Sequence, residues 1–289
     1  MDRTAVVIPT RDRPVELGHC LRALAEARQQ HAFTAWVCDS SADEHRAEVA
    51  RVCAEHPWVE LRFHRGRTVA AARNFCVRVA EAELLVSVDD DVLVEPQAVR
   101  ALVEAYDRGS GPRVVAGGVV WRSGGPPLAP LVLRPIGYGR PARDGEAPAF
   151  LNSSLFLYPQ AYGLQWPWNE RMRRGSDVLM GAIWRRARVS ILWAPDARAV
   201  HEAREQVILE RHDDYVYAVL AHLLVAAKRP LRLALLETAG LAAGLKRYGR
   251  SRQTLATYLG AWGKGHAAFV RDYLHLRELA SRPVPPASR

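Results

Sequence analysis

The sequence predicts an α/β fold: a mostly parallel, doubly wound sheet flanked by helices, with a carboxyl-terminal helical extension. Three observations predict it. Short β-branched runs alternate with amphipathic helical segments as far as Trp121, polar clusters follow the strand ends, and beyond Gln206 the pattern becomes helical and basic. At 289 residues, 49% hydrophobic and 25% charged, the chain can bury a sizeable core. That composition excludes wholesale disorder, collagen-like repeats and disulfide-dense miniproteins.

The first strand is Ala5–Thr10, β-branched and closed by Pro9-Thr10. Behind the turn Arg11-Asp12-Arg13-Pro14, Leu17, Cys20, Leu21 and Leu24 recur at helical spacing and predict a helix over 15–29. Thr34–Cys38 is the second strand, 44–56 a helix, Val59–Phe63 the third strand, and 68–80 a helix carrying Ala70-Ala71-Ala72-Arg73-Asn74. Leu84–Val88 is a fourth strand that ends in Asp89-Asp90-Asp91. A helix over 96–106 and a strand over 113–121 follow. Residues 122–150 cluster Gly and Pro and read as a long loop, a lid or acceptor-facing segment. Strand resumes over 150–158, helix over 177–187, and 189–193 with 199–201 close the sheet as two segments. The last third is an amphipathic helical pair with a frayed tail from Arg282.

The formal net charge of +9 is concentrated at the carboxyl end, where residues 206–289 hold 13 Lys and Arg against 6 Asp and Glu. No zinc-finger, RNA-binding or helix-turn-helix pattern accompanies it, so nucleic acid is not an expected partner. Packing on the core with a solvated basic face is favoured for residues 215–260 over a peripheral contact with an anionic membrane surface. Cys20, Cys38, Cys53 and Cys76 form no C-x-x-C pair, which argues against structural zinc and for buried free thiols. The amino terminus enters a strand without a signal-peptide apolar region, so a cytoplasmic location is expected.

In a doubly wound sheet, ligands bind beyond the carboxyl ends of the strands. That rule selects Pro9-Thr10-Arg11-Asp12, Asp39–Asp43, the Arg65–Asn74 segment and Asp89–Asp91. Three consecutive carboxylates repel one another, and a divalent cation with a diphosphate is their natural compensation. A helix amino cap would need one Asp, not three. Asp39 and Asp43 also suit an ordinary capping loop. Arg73 is either a surface arginine or a partner for the acidic strand end or for phosphate. Asp177, at a predicted helix start, is an amino cap or a general base, and His201, at a strand end, is a core histidine or a nitrogen ligand suited to Mn²⁺. Trp166 and Trp168 either stack on a sugar or belong to the core.

Taken in order, these motifs resemble glycosyltransferase family 2, the inverting, nucleotide-sugar-dependent enzymes with the GT-A (Rossmann-like) fold. The residues carrying the resemblance are Val7-Ile8-Pro9-Thr10, Asp39-Ser40-Ser41-Ala42-Asp43, Ala72-Arg73-Asn74, Asp89-Asp90-Asp91, Gly175-Ser176-Asp177 and Val200-His201. It implies a nucleotide-sugar-binding half over 1–121, an acceptor-binding and catalytic half over 122–205, and a basic helical extension over 206–289. It implies that Pro9, Thr10, Arg11, Asp39, Arg73, Asp89 and Asp90 bind nucleotide, that Asp91 and His201 hold Mn²⁺ or Mg²⁺, and that Asp177 is the base. Trp168, Asn169 and Ser176 would face the acceptor; Ser176 stands where the family pattern has Glu. The donor would be a UDP-, dTDP- or GDP-sugar and the acceptor a hydroxyl on a glycan, lipid or natural product.

Two other readings fit less well. A nucleotidyltransferase needs a Gly-rich basic loop after the first strand, which Pro9-Thr10-Arg11-Asp12 is not. A non-catalytic membrane- or nucleic-acid-binding module would use the basic carboxyl-terminal helices and ignore Asp91. Gly137-Tyr138-Gly139 is followed by Pro141 and lacks a strand-helix context for a dinucleotide fingerprint.

Overall fold

The computed structural model describes residues 2–66, 68–124, 131–133, 139–143, 146–148, 154–172, 175–202, 212–221, 241–242, 245–246 and 252–285. The first half follows the expected alternation: β1 (Thr4–Thr10), α1 (Pro14–Gln30), β2 (Thr34–Asp39), α2 (Asp43–Ala54), β3 (Val59–Phe63), α3 (Val69–Val79) and β4 (Leu84–Val88). Next come β5 (Val92–Val94), α4 (Ala98–Arg108), β6 (Arg113–Trp121), β7 (Leu131–Leu133), β8 (Gly139–Pro141) and β9 (Leu155–Pro159). Then follow α5 (Gln160–Gln165), α6 (Ser176–Arg186), β10 (Ser190–His201), α7 (His212–Ala221) and α8 (Arg252–Ser281).

Eight strands form one sheet in the order β3-β2-β1-β4-β9-β6-β10-β5. Strands β3, β2, β1 and β4 run parallel, as do β6 and β10, but β9 lies antiparallel between β4 and β6, and β5 antiparallel at the edge beside β10. The sheet is therefore mixed on its second half. Both faces are covered, and the strands show it by period-two partition. Along β1, Ala5 and Val7 join a core beneath α3, α6 and the carboxyl-terminal helices, while Val6 and Ile8 join a core beneath α1, α2 and α4. All four cysteines are buried and free.

Four local expectations change. The closing segments are one strand, β10, with an irregularity between Trp193 and Arg198 where it pairs with β6. Part of the Gly/Pro-rich stretch forms an antiparallel β7–β8 hairpin whose Val132 is buried in the core. The short elements β5 and α5 carry too few residues to show a period. The tail, rather than fraying at Arg282, is tied to α5: Gln165 Nε2 donates to the Pro283 carbonyl at 3.0 Å, and Arg282 Nη1 donates to the Gln165 carbonyl at 2.9 Å.

Helix α8 lays Tyr258, Phe269, Leu276 and Leu279 into the protein, and Trp166 Nε1 donates to the Leu279 carbonyl at 3.1 Å. Among the described residues, no helix is long and apolar enough to cross a membrane. The crossing of α7 and α8 is close because of Gly265: a Cβ there would come within 2.6 Å of the Asp213 carbonyl and 2.8 Å of Val216 Cβ. Gly263, on the exposed side, would meet nothing within 4 Å. Gly265→Ala is accordingly expected to lower stability by about 1–3 kcal/mol through forced separation of the helices. Gly263→Ala should raise it by up to about 1 kcal/mol through helix propensity. Urea denaturation of the two variants checks the contrast, and equal effects would contradict the packing account.

Candidate functional site

The site grows from the carboxyl end of β4. Where the strand stops, Asp89, Asp90 and Asp91 turn under the sheet edge, with Asp90 and Asp91 both 6% exposed. Buried carboxylates persist only if compensated, and each of these is compensated from a different element. Asp89 pairs with Arg73 of α3 and accepts the Ser154 hydroxyl at 2.9 Å. Asp90 accepts the Thr10 hydroxyl, at the end of β1, at 2.7 Å. Asp91 accepts Arg13 Nη1 at 2.8 Å, and its other oxygen lies 3.6 Å from His201 Nε2 at the end of β10. Burial pushes Asp90 up to about 7 against the opposing pull of Thr10, and burial likewise raises Asp91.

The turn Arg11–Arg13 is held by a reciprocal clasp with the loop after β2. Asp12 sits in the left-handed region at φ 57°, its N–H donating to Ser41 Oγ at 2.7 Å and its Oδ1 accepting the Ala42 N–H at 2.8 Å. That second bond holds the Asp12 carboxyl below its ordinary range. Asp39 is 1% exposed; its Oδ1 accepts the Ser41 N–H at 2.8 Å, while Oδ2 is buried with no partner among the described residues. Thr68 caps α3 by accepting the Ala71 N–H at 3.1 Å, and the small residues after it leave the cleft wall open.

Helix α6 supplies the remaining wall. Gly175, at φ 71°, takes the left-handed conformation at its amino cap, which turns Ser176 and Asp177 into the first turn. Asp177 Oδ1 accepts the Val178 N–H at 2.9 Å. A single cleft of about 570 Å³ is lined by Pro9, Thr10, Arg11, Arg13, Ser40, Arg73, the three acidic residues, Ser154, Ser176, Asp177 and His201. Asp39 lies buried beside Ser41 rather than on that lining.

Three sequence-selected residues lie elsewhere. Trp168 is 3% exposed in the core, its ring 5.9 Å from Phe156 and 5.2 Å from the Arg73 guanidinium, so it is placed to support the site and not to stack on an acceptor. Asn169 turns away, its side chain donating to the Tyr217 hydroxyl at 3.0 Å. Trp166 is likewise core. Conversely, the sequence reading gave no role to Arg13, Ser154 or Glu202. Glu202 anchors the end of β10: its N–H donates to the Asp91 carbonyl at 2.9 Å, and its carboxylate meets His19 at 3.0 Å and Arg122 at 3.1 Å. The position of Arg13 just past a strand end was the available signal; nothing in the sequence marks Ser154.

Asp91 and His201 supply a carboxylate and an imidazole side by side, and His201 Nδ1 is buried without a partner among the described residues. No group of three or more His, Cys, Asp and Glu spaced to hold a metal occurs among the described residues. Two protein donors fit Mg²⁺ or Mn²⁺ in the manner in which such ions are shared with substrate phosphates, not as an all-protein cage.

A family model described as glycosyl transferase family 2 matches residues 5–163. A curated relative, validoxylamine A glucosyltransferase of Streptomyces hygroscopicus subsp. limoneus, is 31% identical over 157 residues, which is 52% of this chain. The match spans only 35% of that relative's length. The crystal structure of S. aureus TarS 1-349 in complex with UDP-GlcNAc is similar with a TM-score of 0.61 at 15% identity, over 96% of this chain and 90% of that one. Mannosyltransferase PcManGT from Pyrobaculum calidifontis, in complex with GDP-Man and Mn2+, is similar with a TM-score of 0.52 at 17% identity, over 96% and 85% respectively. At these identities the likeness is one of fold.

Asn74, adjacent to Arg73, fastens the far wall to α3. Its Nδ2 donates to the Trp168 carbonyl and to Glu170 Oε1, both at 2.9 Å, and its Oδ1 accepts the Trp168 N–H at 2.8 Å. Asn74→Ala should cost about 2–4 kcal/mol, because it leaves buried backbone groups of Trp168 unpaired. Chemical denaturation measures the loss, and a change below about 0.5 kcal/mol would rule out the clamp.

Proposed function

Because the chain belongs to glycosyl transferase family 2 and has the GT-A fold, we propose that it moves a sugar from a nucleoside-diphosphate sugar to an acceptor hydroxyl by one inverting displacement. One observation carries this reading: the acidic turn Asp89–Asp91, the strand-end residues Thr10 and Arg11, and Asp177 share a single cleft. Its volume, about 570 Å³, lies within the range of small-molecule sites. Support also comes from the solved neighbours, one in complex with UDP-GlcNAc and one with GDP-Man and Mn2+.

In this reading Pro9, Thr10, Arg11 and Ser40 receive the base and ribose. Asp39 lies behind that lining, where its Oδ1 holds the Ser41 N–H; its unpartnered Oδ2 would accept a base N–H or a ribose hydroxyl only if the Ser40-Ser41 loop moves on binding. Asp89 is committed to the buried Arg73 and to Ser154, and Asp90 to Thr10; Asp91, whose partner Arg13 is half-exposed, and His201 are the pair that would hold a divalent cation. When bound, that cation supplies neutralisation of the charge that develops on the departing diphosphate.

Asp177 acts on the acceptor. Its carboxylate, oriented through Oδ1 by the Val178 N–H, takes the proton of the attacking hydroxyl as the anomeric bond to the diphosphate breaks. The sugar passes through an oxocarbenium-like state, and attack on the face away from the leaving group inverts the anomeric centre. Ser176, beside Asp177 on the cleft lining, faces the acceptor side.

Three expected outcomes test this. A thermal-shift panel of UDP, GDP, dTDP and CDP with and without Mn²⁺ should single out one nucleotide, with the larger stabilisation when metal is present. No shift with any of them would remove the donor reading. Asp91→Ala should abolish the metal-dependent part of that shift. Asp177→Asn should retain nucleotide binding while transfer falls by at least about 10²-fold, the loss expected for a general base. Transfer at the unmodified rate would take Asp177 out of the role.

A further inference from the structure

The cleft holds two arginines against the acidic turn, and they are built differently. Arg73 is 5% exposed, with the Trp168 ring 5.2 Å from its guanidinium and Asp89 as its ion-pair partner. Nothing about its surroundings permits it to leave. Arg13 contacts Asp91 at 2.8 Å and Asp90 at 3.4 Å, yet its side chain is 48% exposed while the two carboxylates are each 9% exposed. Among the described residues no aromatic ring packs on its guanidinium, and Glu16 also acts on it.

From this contrast we infer that Arg13 is a displaceable counter-ion: it holds Asp91 in the nucleotide-free protein and moves to the donor diphosphate when a divalent cation takes its place, so that cation and nucleotide bind cooperatively. The inference rests on the metal reading given under Proposed function. Asp91 has two oxygens, one facing His201 and the other bonded to Arg13. A cation recruited to Asp91 must therefore compete with the guanidinium. With Asp89 neutralised by Arg73, the remaining pair of carboxylates and Arg13 carry at most one net negative charge. A divalent cation added alone makes this cluster positive, and the two cations repel at close range. A diphosphate, with its two negative charges, relieves that repulsion and accepts the released guanidinium in the bidentate manner suited to arginine. The cation should then bind weakly until the nucleotide arrives.

The test is a Mn²⁺ titration of the full chain, read by the electron paramagnetic resonance signal of free Mn²⁺, without nucleotide and with UDP or GDP. The natural protein should bind Mn²⁺ about tenfold or more tightly with nucleotide than without it. Arg13→Met should raise nucleotide-free Mn²⁺ affinity by about tenfold and weaken nucleotide binding in Mn²⁺ by a similar factor, so the cooperativity disappears. Arg13→Lys, which keeps the charge, should retain most of it. Arg11→Met removes the same charge from the same turn, but Arg11 pairs with Asp12, so nucleotide-free Mn²⁺ affinity should stay within about twofold. If Arg13→Met leaves both affinities unchanged while the natural protein still binds Mn²⁺ with nucleotide, the inference fails and the metal reading stands. If Mn²⁺ binds to no form even with nucleotide, both fall.

Discussion

Three adjacent carboxylates at the end of β4 set the terms for this half of the molecule. An uncompensated buried charge costs several kcal/mol, so the turn Asp89–Asp91 can exist only where other elements bring charge or donors to it. Those compensating groups come from widely separated parts of the chain: Thr10 and Arg13 from β1 and the start of α1, Arg73 from α3, Ser154 from just before β9, and His201 from the end of β10. Parallel pairing of β1 with β4, and of β6 with β10, helps to gather these ends at one rim. The register is thus tied to the electrostatics. A strand slipped by one residue would exchange Val7 for Val6 between the cores and also withdraw Thr10 from Asp90.

The second wall depends on different bonds. Asn74 ties the Trp168–Glu170 segment to α3, and Asn169 ties it to Tyr217 of α7. Tyr217 in turn donates to Asp272 Oδ2 at 3.3 Å, and Asp272, buried on α8, accepts from Arg171 Nη1 at 3.0 Å. The segment leading to Gly175 and Asp177 is therefore braced on one side by the sheet-and-helix layer and on the other by the carboxyl-terminal helices. In the described structure α7 and α8 are part of the scaffold that positions the cleft, and the apolar residues α8 contributes to the core agree with that place.

Much of the architecture of the first half was legible because its signals are local: β-branched runs closed by polar residues, and helices with a clear apolar stripe. The antiparallel insertion of β9 was not, since Leu155–Pro159 is an apolar run that reads the same in either direction. The acidic turn stood out because three carboxylates after a strand demand an explanation. The tryptophans stayed ambiguous because a large aromatic beside a predicted base suits both a sugar platform and a core, and only burial separates the two. Arg13 was overlooked for a related reason. An arginine in a polar turn looks solvated until the fold shows which carboxylates lie across from it.

The charge distribution gives the same cleft its chemical character. The chain as a whole carries +9, but the cleft lining sets Arg11, Arg13 and Arg73 against Asp89, Asp90, Asp91 and Asp177. Three arginines against four carboxylates leave that lining with no positive excess, so the global charge would not be what draws a diphosphate into it. A polyanionic donor entering an acidic pocket needs local positive charge supplied with it. In the proposed reading, a pocket that carries its own acids, pairs one with a buried arginine and another with a half-exposed one, would receive anion and cation together rather than either alone.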